Sequence, residues 1–519
     1  MKTKKIALSA LVEIIPYILI GALGILKVRI LISNIGSDLN GYYQFVNQII
    51  SYLFLAEMGF TGAVIFKLYT PFANNDKKSI GEIYRGARKI FKSIGFVIVG
   101  LIFGGTILFP TLFGINNEFS FQVIMCYLLI SLSYTLPYFF YSYTYNTLFC
   151  ADQKKYIYSL IINIMKLLCD LFVILVVLKF PNLIAIALVI VVIKIIEEII
   201  VSIIGKRVYS YIEKEGIEDT SARKMTKDVV WHYVGYLVIN NVDSVLIMMI
   251  LGPISVSIYA AYNFISRFLS EVATKIDNVI LHFFGGAFVK EKKERVYSMF
   301  KEQTILIAWL ALTISFTYLI GIRGFVGLWV DDPSVNYILN YFTTSMFAFS
   351  LFLVIVYSPL HAMIYSNGLY KESKYYIMIA CLINIVLSVI LMQTFPGDLK
   401  IAGALVATAI SFFVTIILRS GLISRMIFTD VKKSTLINRY LKYIVFFVIG
   451  MVGCYYVEPL IYDNANNIFS LVAFLVVSFL IFGIINILVL HVTDKDTINL
   501  LRRLKSLVKR RKEEPNEAG

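Results

Sequence analysis

Apolar side chains dominate stretches of twenty or more residues along almost the whole chain. They lie near 8–34, 41–66, 88–113, 121–150, 156–178, 183–205, 229–251, 254–285, 303–330, 337–366, 375–395, 401–424, 440–460 and 467–491. A helix needs about 20 apolar residues to cross the roughly 30 Å hydrocarbon layer of a bilayer. Inside that layer every backbone polar group must be satisfied within the chain. The pattern therefore predicts an all-α polytopic membrane protein with about 14 transmembrane helices. The stretch 254–285 departs from the others. Asn263, Arg267, Glu271 and Lys275 follow one another at four-residue steps, and each step advances only about 40° around a helix, so the four form one stripe. Ser270, Thr274, Asn278 and His282 fall on the same half, and Ile258, Ile265, Leu269, Val272, Ile276, Val279 and Phe283 on the other. A charge that meets lipid costs roughly 2.5–3.5 kcal/mol on insertion scales. The stripe is therefore expected to face protein or a water-filled cleft.

The connections between the runs alternate in charge. The even-numbered connections, both termini and the adjoining ends of the runs (Arg88, Lys89, Lys92, Arg419 and Lys442) hold 39 of the 48 Lys and Arg residues, whereas the odd-numbered connections hold only Lys179 and Lys400. By the positive-inside rule, both termini are cytoplasmic. The outward connections, such as 34–40 and 252–253, are short. The longest inward ones, 206–228 and 425–439, leave no room for a nucleotide-binding domain, and no phosphate-loop or dinucleotide motif occurs in a suitable context. The tail beyond 493 places Ile498, Leu501, Leu504, Leu507 and Val508 among Arg502, Arg503, Lys505, Lys509, Arg510, Arg511 and Lys512. It reads either as an amphipathic helix on the anionic inner leaflet or as a plain solubilising tail.

A shift of 216 residues carries Ile35-Gly36 onto Leu251-Gly252, Tyr43 onto Tyr259, Asn47 onto Asn263 and Lys77-Lys78 onto Lys293-Glu294. Span order and loop charge repeat with the same offset. This predicts two parallel six-helix lobes, 1–210 and 229–428, joined by a cytoplasmic linker at 211–228. Two further helices at 429–492 and the basic tail 493–519 follow. A binding site is expected between such repeats.

Composition agrees with a membrane protein: 59% of the 519 residues are hydrophobic and 16% charged, and the mean hydropathy is +0.78, against about 25% charged in soluble domains. The net charge of +15 is spread between apolar runs, so it implies an anionic membrane surface and not nucleic acid. Cys126, Cys150, Cys169, Cys381 and Cys454 lie in or beside apolar runs without CxxC spacing, so no metal, cofactor or disulfide is expected. Nothing resembles a nucleophile–base arrangement, so an enzyme is not expected.

The intramembrane charges fall into two groups. Lys27, Arg29, Lys166, Arg267 and Lys275 are candidate cations of a cavity that receives an anionic substrate, arginine being especially suited to phosphate. Glu57, Asp170, Asp243 and Glu271 are candidate counter-ions or coupling acids, and Asn163, Asn240, Asn263 and Asn278 a candidate polar lining. Under the 216-residue offset Lys27 meets Asp243, a candidate ion pair. Lys166 with Asp170, and Lys194 with Glu197 and Glu198, read equally as local pairs that lock helices together. Arg323 reads as a snorkelling interfacial base. Tyr42, Tyr43, Tyr259 and Tyr262 are placed in the interfacial belt or, alternatively, against sugar rings.

The segment Asn384-Ile385-Val386-Leu387, followed by Ile401-Ala402-Gly403-Ala404-Leu405-Val406-Ala407-Thr408-Ala409-Ile410-Ser411, resembles bacterial oligosaccharide flippases of the polysaccharide-transport family. So do Ile35-Gly36…Gly41-Tyr42-Tyr43 and Asn241…Asp243…Leu251-Gly252…Tyr259. That family belongs to a superfamily that also holds the multidrug extruders and the lipid II flippases. The counterpart of the Gly403 segment at 185–192 is degenerate. The resemblance implies a two-lobed, alternating-access transporter in a bacterial cell membrane. Its passenger would be an undecaprenyl-pyrophosphate-linked oligosaccharide, with Arg29, Arg267 and Lys275 as cavity cations. Membrane lipids and other membrane proteins of polysaccharide assembly would be its further partners. An ion-coupled drug or organic-cation antiporter and a lipid II flippase remain the alternatives. A membrane polymerase would need larger outward loops.

Overall fold

The computed structural model describes residues 2–53, 55–113, 115, 118–212, 216–221, 242–290, 292–465, 467–494, 496–498, 500 and 502; side chains are left aside at 2–15, 55–59, 278–290 and a few single positions. The described chain is helical: α1 Lys2–Leu53, α2 Leu55–Ala73, α3 Lys77–Phe113, α4 Ser120–Ser133, α5 Leu136–Phe139, α6 Ser142–Ala151, α7 Lys155–Val177 and α8 Leu183–Val208. A short helix α9 covers Val242–Leu251. There follow α10 Pro253–Lys290, α11 Lys293–Trp329, α12 Tyr341–Ser366, α13 Tyr370–Thr394, α14 Lys400–Met426, α15 Lys433–Asn464 and α16 Ile468–Thr493.

Among the described residues, ten helical segments are long and apolar enough to cross a membrane. One of them, Pro16–Leu53, would be nearly 60 Å long as a straight helix, twice the hydrocarbon thickness. It is divided at Gly36, whose φ of 79° and ψ of 166° are non-helical. The predicted outward loop 34–40 is therefore a one-residue kink. Gly252, its partner under the 216-residue offset, has φ 84° and stands between α9 and α10. A Cβ at either glycine would meet nothing within 4 Å, so it is the left-handed backbone and not crowding that calls for glycine there. The two glycines matched by the offset thus share a left-handed backbone. The missing spans are the instructive ones: α8 carries Lys194, Glu197 and Glu198, and α10 carries its charged stripe.

The expected single span at 121–150 is broken into α4, α5 and α6. Pro137 is the second residue of α5; with no backbone N–H it cannot donate to the carbonyl four residues back that would continue α4. The hydroxyls of Ser133 and Thr135 donate to the carbonyls of Ile130 (2.7 Å) and Leu132 (2.7 Å), and Tyr141 takes a left-handed φ of 68°.

The chain divides into two compact units: Met1–Ala261 with Val330–Tyr337, and Tyr262–Trp329 with Ile338–Gly519. In the first unit, α1 packs on α7, α7 and α4 on α8, and α2 on α3 and α6. A polar clasp joins the kink of α1 to the start of α10: Asn40 Nδ2 donates to Ser257 Oγ at 2.6 Å, and the Tyr337 hydroxyl lies 2.7 Å from both Ser37 and Ser257.

In the second unit, α13 and α14 cross very closely. A Cβ added at Gly403 would stand 2.8 Å from the backbone of Leu391 and Met392, and Asn384 Nδ2 donates to Thr408 Oγ1 at 2.9 Å across the crossing. Small residues plus an interhelical hydrogen bond are how membrane helices associate without a hydrophobic driving force. The Asn384…Gly403…Thr408 signature is therefore a packing device. The two helices beyond the repeat are fastened to α11 along their length. Arg323 Nη1 pairs with Glu458 at 2.9 Å, Trp309 Nε1 donates to the Gly483 carbonyl at 2.8 Å, and Asn486 Nδ2 donates to Thr313 Oγ1 at 3.2 Å. At the far end Lys301, Arg439 and Lys442 hold Asp494 and Asp496. Arg323 is thus a paired base with a second bond to the Leu339 carbonyl at 3.0 Å, in place of the expected snorkelling one.

Candidate functional site

The first unit encloses a charged core. Lys27 of α1 reaches Asp170 of α7 at 2.5 Å, with side chains 19% and 8% exposed. The candidate pair of Lys27 with Asp243 is therefore not formed: Asp243 is buried and accepts from the Tyr259 hydroxyl at 3.3 Å. The repeat offset matches positions equivalent by symmetry, whereas contact follows the packing of α1 on α7. Asp170 likewise answers to Lys27, and Lys166 stands exposed on α7. One turn of α8 adds Lys194 paired with Glu197 at 2.6 Å, as expected of a local lock. Lys194 also lies 5.0 Å from the centre of the Tyr134 ring. Glu198, next in the chain and buried, accepts from the Ser142 hydroxyl of α6. Tyr134 and Cys169 sit within electrostatic range of both pairs. Two bases thus share one core with three carboxyl groups.

On α10, burial resolves three faces. Tyr259, Tyr262, Ser266, Ala273 and Asp277 are buried, and at about 100° per residue they form a stripe beside the charged one. Asn263, Arg267 and Lys275 are half-buried and Glu271 is exposed. The hydroxyls between them turn back onto their own helix: Ser270 Oγ donates to the Arg267 carbonyl at 2.9 Å and Thr274 Oγ1 to the Ser270 carbonyl at 2.8 Å. Such back-bonding satisfies a hydroxyl at bilayer depth without a partner helix. Arg29 of α1 is exposed and Asn163 of α7 half-buried. The side chains of Glu57 and Asn278, and the whole of Asn240, lie outside the described residues. Tyr42, Tyr43, Tyr259 and Tyr262 are all buried, so they are packing residues, neither belt nor sugar platform.

Among the buried charges of the second unit missed from sequence are Asp277 and Arg419. Asp277 accepts from Gln303 Nε2 and Ser358 Oγ, both at 2.7 Å. It lies one face away from the four-residue stripe, where only the run of small and polar residues at 266, 273 and 277 points to it. Arg419 is fully buried in α14, with Nη1 3.2 Å from His361 Nδ1 and its guanidinium 5.2 Å from the Tyr357 ring centre. Its place near a helix end makes it look like a cytoplasmic loop base.

No protein-family model and no curated protein sequence matches the chain. Solved structures do. Lipid II flippase MurJ, in an inward closed conformation, aligns with a TM-score of 0.63 and 13% identity over 91% of this chain and 97% of its own. An inward-facing multidrug resistance MATE family transporter of the MOP superfamily aligns with a TM-score of 0.60 and 12% identity over 80% of this chain and 98% of its own. A MOP superfamily transporter from Pyrococcus furiosus, described as having a binding pocket of reverse polarity, aligns at 0.54 and 12% over 80% and 95%. The chain shares the fold of these solved structures. These neighbours of the MOP fold are transporters and a flippase.

Proposed function

We propose that this chain is a flippase that moves an undecaprenyl-pyrophosphate-linked oligosaccharide from the cytoplasmic to the outer leaflet of a bacterial cell membrane by alternating access. The observation that carries the reading is the sign of the accessible charge on its membrane-length helices. Arg29 and Lys166 are exposed and Arg267 and Lys275 half-buried, against a single accessible acid, Glu271, among the described site candidates. Of the buried acids, Asp170, Glu197 and Glu458 are each held by a base, while Glu198, Asp243 and Asp277 accept from hydroxyl or amide groups. A site for organic cations would need the opposite balance, with an acid left accessible to the passenger. Arginine and lysine suit a pyrophosphate, whose charge would otherwise have to cross hydrocarbon.

Two further observations support a lipid-linked passenger. The MurJ alignment takes in 91% of this chain against 80% for the MATE transporter. The second unit also carries a wholly apolar cavity of about 340 Å³ between α12, α14 and α15, lined by residues such as Phe349, Phe413, Phe447 and Met451. It is suited to an isoprenoid chain. A lipid II passenger would use the same charges and differ only in its sugars. Within this reading Asp170 acts as the counter-ion of Lys27, while Asp243 and Glu271 remain the acids to examine for coupling.

The test is complementation of a strain lacking its own flippase with wild type, Arg267→Ala and Lys275→Ala, with membrane expression verified. Surface glycan should fall at least ten-fold in each variant. Normal export by both would overturn the cation assignment.

A further inference from the structure

A second cavity lies in the first unit, one turn of α8 beyond Glu198, whose carboxyl is turned to the Ser142 hydroxyl. It has a volume of about 720 Å³ and is lined by α3, α5, α6 and α8, with Tyr84, Arg88, Tyr141, Tyr145, Lys206 and Tyr209 on its walls. That volume is within the usual range for small-ligand sites, about 300–1,000 Å³. It sits where α8 ends in Lys206 and Arg207, the end of the bundle at which basic residues gather.

Its electrostatics are one-sided. None of the residues that line it is a carboxylate, and among the described residues neither Arg88 nor Lys206 forms an ion pair. Arg88 instead donates from Nη2 to the Tyr141 hydroxyl at 2.5 Å, with its guanidinium 3.9 Å from the centre of that ring. The nearby acid Asp152 is already engaged by Lys154 at 2.7 Å and by the Tyr209 hydroxyl at 3.2 Å. Tyr141 holds Arg88 from a left-handed backbone, φ 68°. A tyrosine pays for that conformation only where its surroundings fix it, and such residues cluster at ligand sites. The surface beside the cavity is apolar: Phe96, Phe140 and Ile203 are exposed, and Phe96 packs edge-on to Phe139 at 5.2 Å.

We propose that this cavity takes the phosphate group of an anionic lipid from the leaflet at the basic end of the bundle. Arg88 and Lys206 would neutralise the phosphate, tyrosine hydroxyls would donate to its oxygens, and the acyl chains would lie on the apolar surface around Phe96, Phe140 and Ile203. A helix-end role for Lys206 against the α8 dipole accounts for one base, but not for the two converging on a cavity without an acid.

The test uses the full-length protein in detergent and native mass spectrometry, and its readout is lipid retention, which does not depend on transport. Wild type should retain phosphatidylglycerol over phosphatidylcholine. Arg88→Gln and Lys206→Gln should each weaken that retention roughly five-fold, the loss expected for one base facing an anionic lipid. Lys371→Gln, an exposed base of the other unit, should leave it unchanged. Displacement of the lipid by millimolar inorganic phosphate, with the same dependence on Arg88 and Lys206, would identify free phosphate as a second source of the same ligand. Equal retention of the two lipids by wild type overturns the proposal without any variant, as does undiminished preference in the Arg88 and Lys206 variants.

Discussion

Replacing Asp170 by asparagine should strip Lys27 of its counter-charge while keeping the side-chain volume. Removing one partner of a buried ion pair costs about 3–5 kcal/mol, because the remaining charge stays desolvated. With side chains 19% and 8% exposed, the pair is close to that limit but not sealed from water, so the lower end, about 3 kcal/mol, is the expected figure. At roughly 2–4 °C per kcal/mol for domains of this size, the melting temperature of the detergent-solubilised protein should fall by about 6–12 °C. The double variant Lys27→Met, Asp170→Leu removes both charges and should recover most of that loss, since apolar replacement of a whole buried pair is often neutral. The thermal assay is followed by fluorescence of the purified protein at fixed detergent concentration. Melting of Asp170→Asn within about 1 °C of wild type would refute the reasoning, and so would a double variant as unstable as the single one.

Arg323→Ala should destabilise the attachment of α15 by about 3 kcal/mol, because Glu458 is left buried without its base; limited proteolysis of the α15–α16 connection, next to Glu458, should accelerate, and unchanged cleavage would count against the attachment. Gly403→Leu should force α13 and α14 apart at the point where a Cβ already meets backbone at 2.8 Å, costing at least about 1–3 kcal/mol; wild-type thermal stability of that variant would show the crossing to be looser. At Asp219, in the connection after α8, burial pushes the carboxyl upward, but hydrogen bonds from Lys67 and Ser221 outweigh it and hold it at about 2. A carboxyl lowered from its ordinary 3.8 stabilises the fold above that value and loses its contribution as pH falls toward 2. Amide exchange at 216–221 should therefore rise between about pH 4 and 2, and Asp219→Asn should raise it already at pH 7; a flat profile in wild type would contradict this.

The helices were legible because hydrocarbon thickness sets a length that apolar runs such as 375–395 and 401–424 must meet. Pro137 was in plain view, yet an apolar run on both sides hid the break it causes, since hydropathy does not register a missing backbone donor. Charges were harder. Periodicity found the Arg267 stripe because four-residue spacing is a property of one helix. It assigned Lys27 the wrong partner because pairing across helices depends on which helices pack. Arg419 was lost because a base near a helix end looks the same in sequence whether it is buried beside His361 or wet. Asp277 was lost because a single acid among small residues carries no period of its own. The Asn384…Gly403 signature was readable as a likeness, but its physical content, a close crossing fixed by the bond to Thr408, needed the structure.

The measurement that bears most directly on the proposed activity is flipping in reconstituted vesicles. A polyprenyl-pyrophosphate oligosaccharide placed in the outer leaflet would be followed by its loss of accessibility to an external lectin. The account expects protection that depends on the protein and falls at least ten-fold in the Arg267→Ala, Lys275→Ala double variant. Absence of protein-dependent protection, while the same vesicles accumulate an organic cation dye, would contradict it.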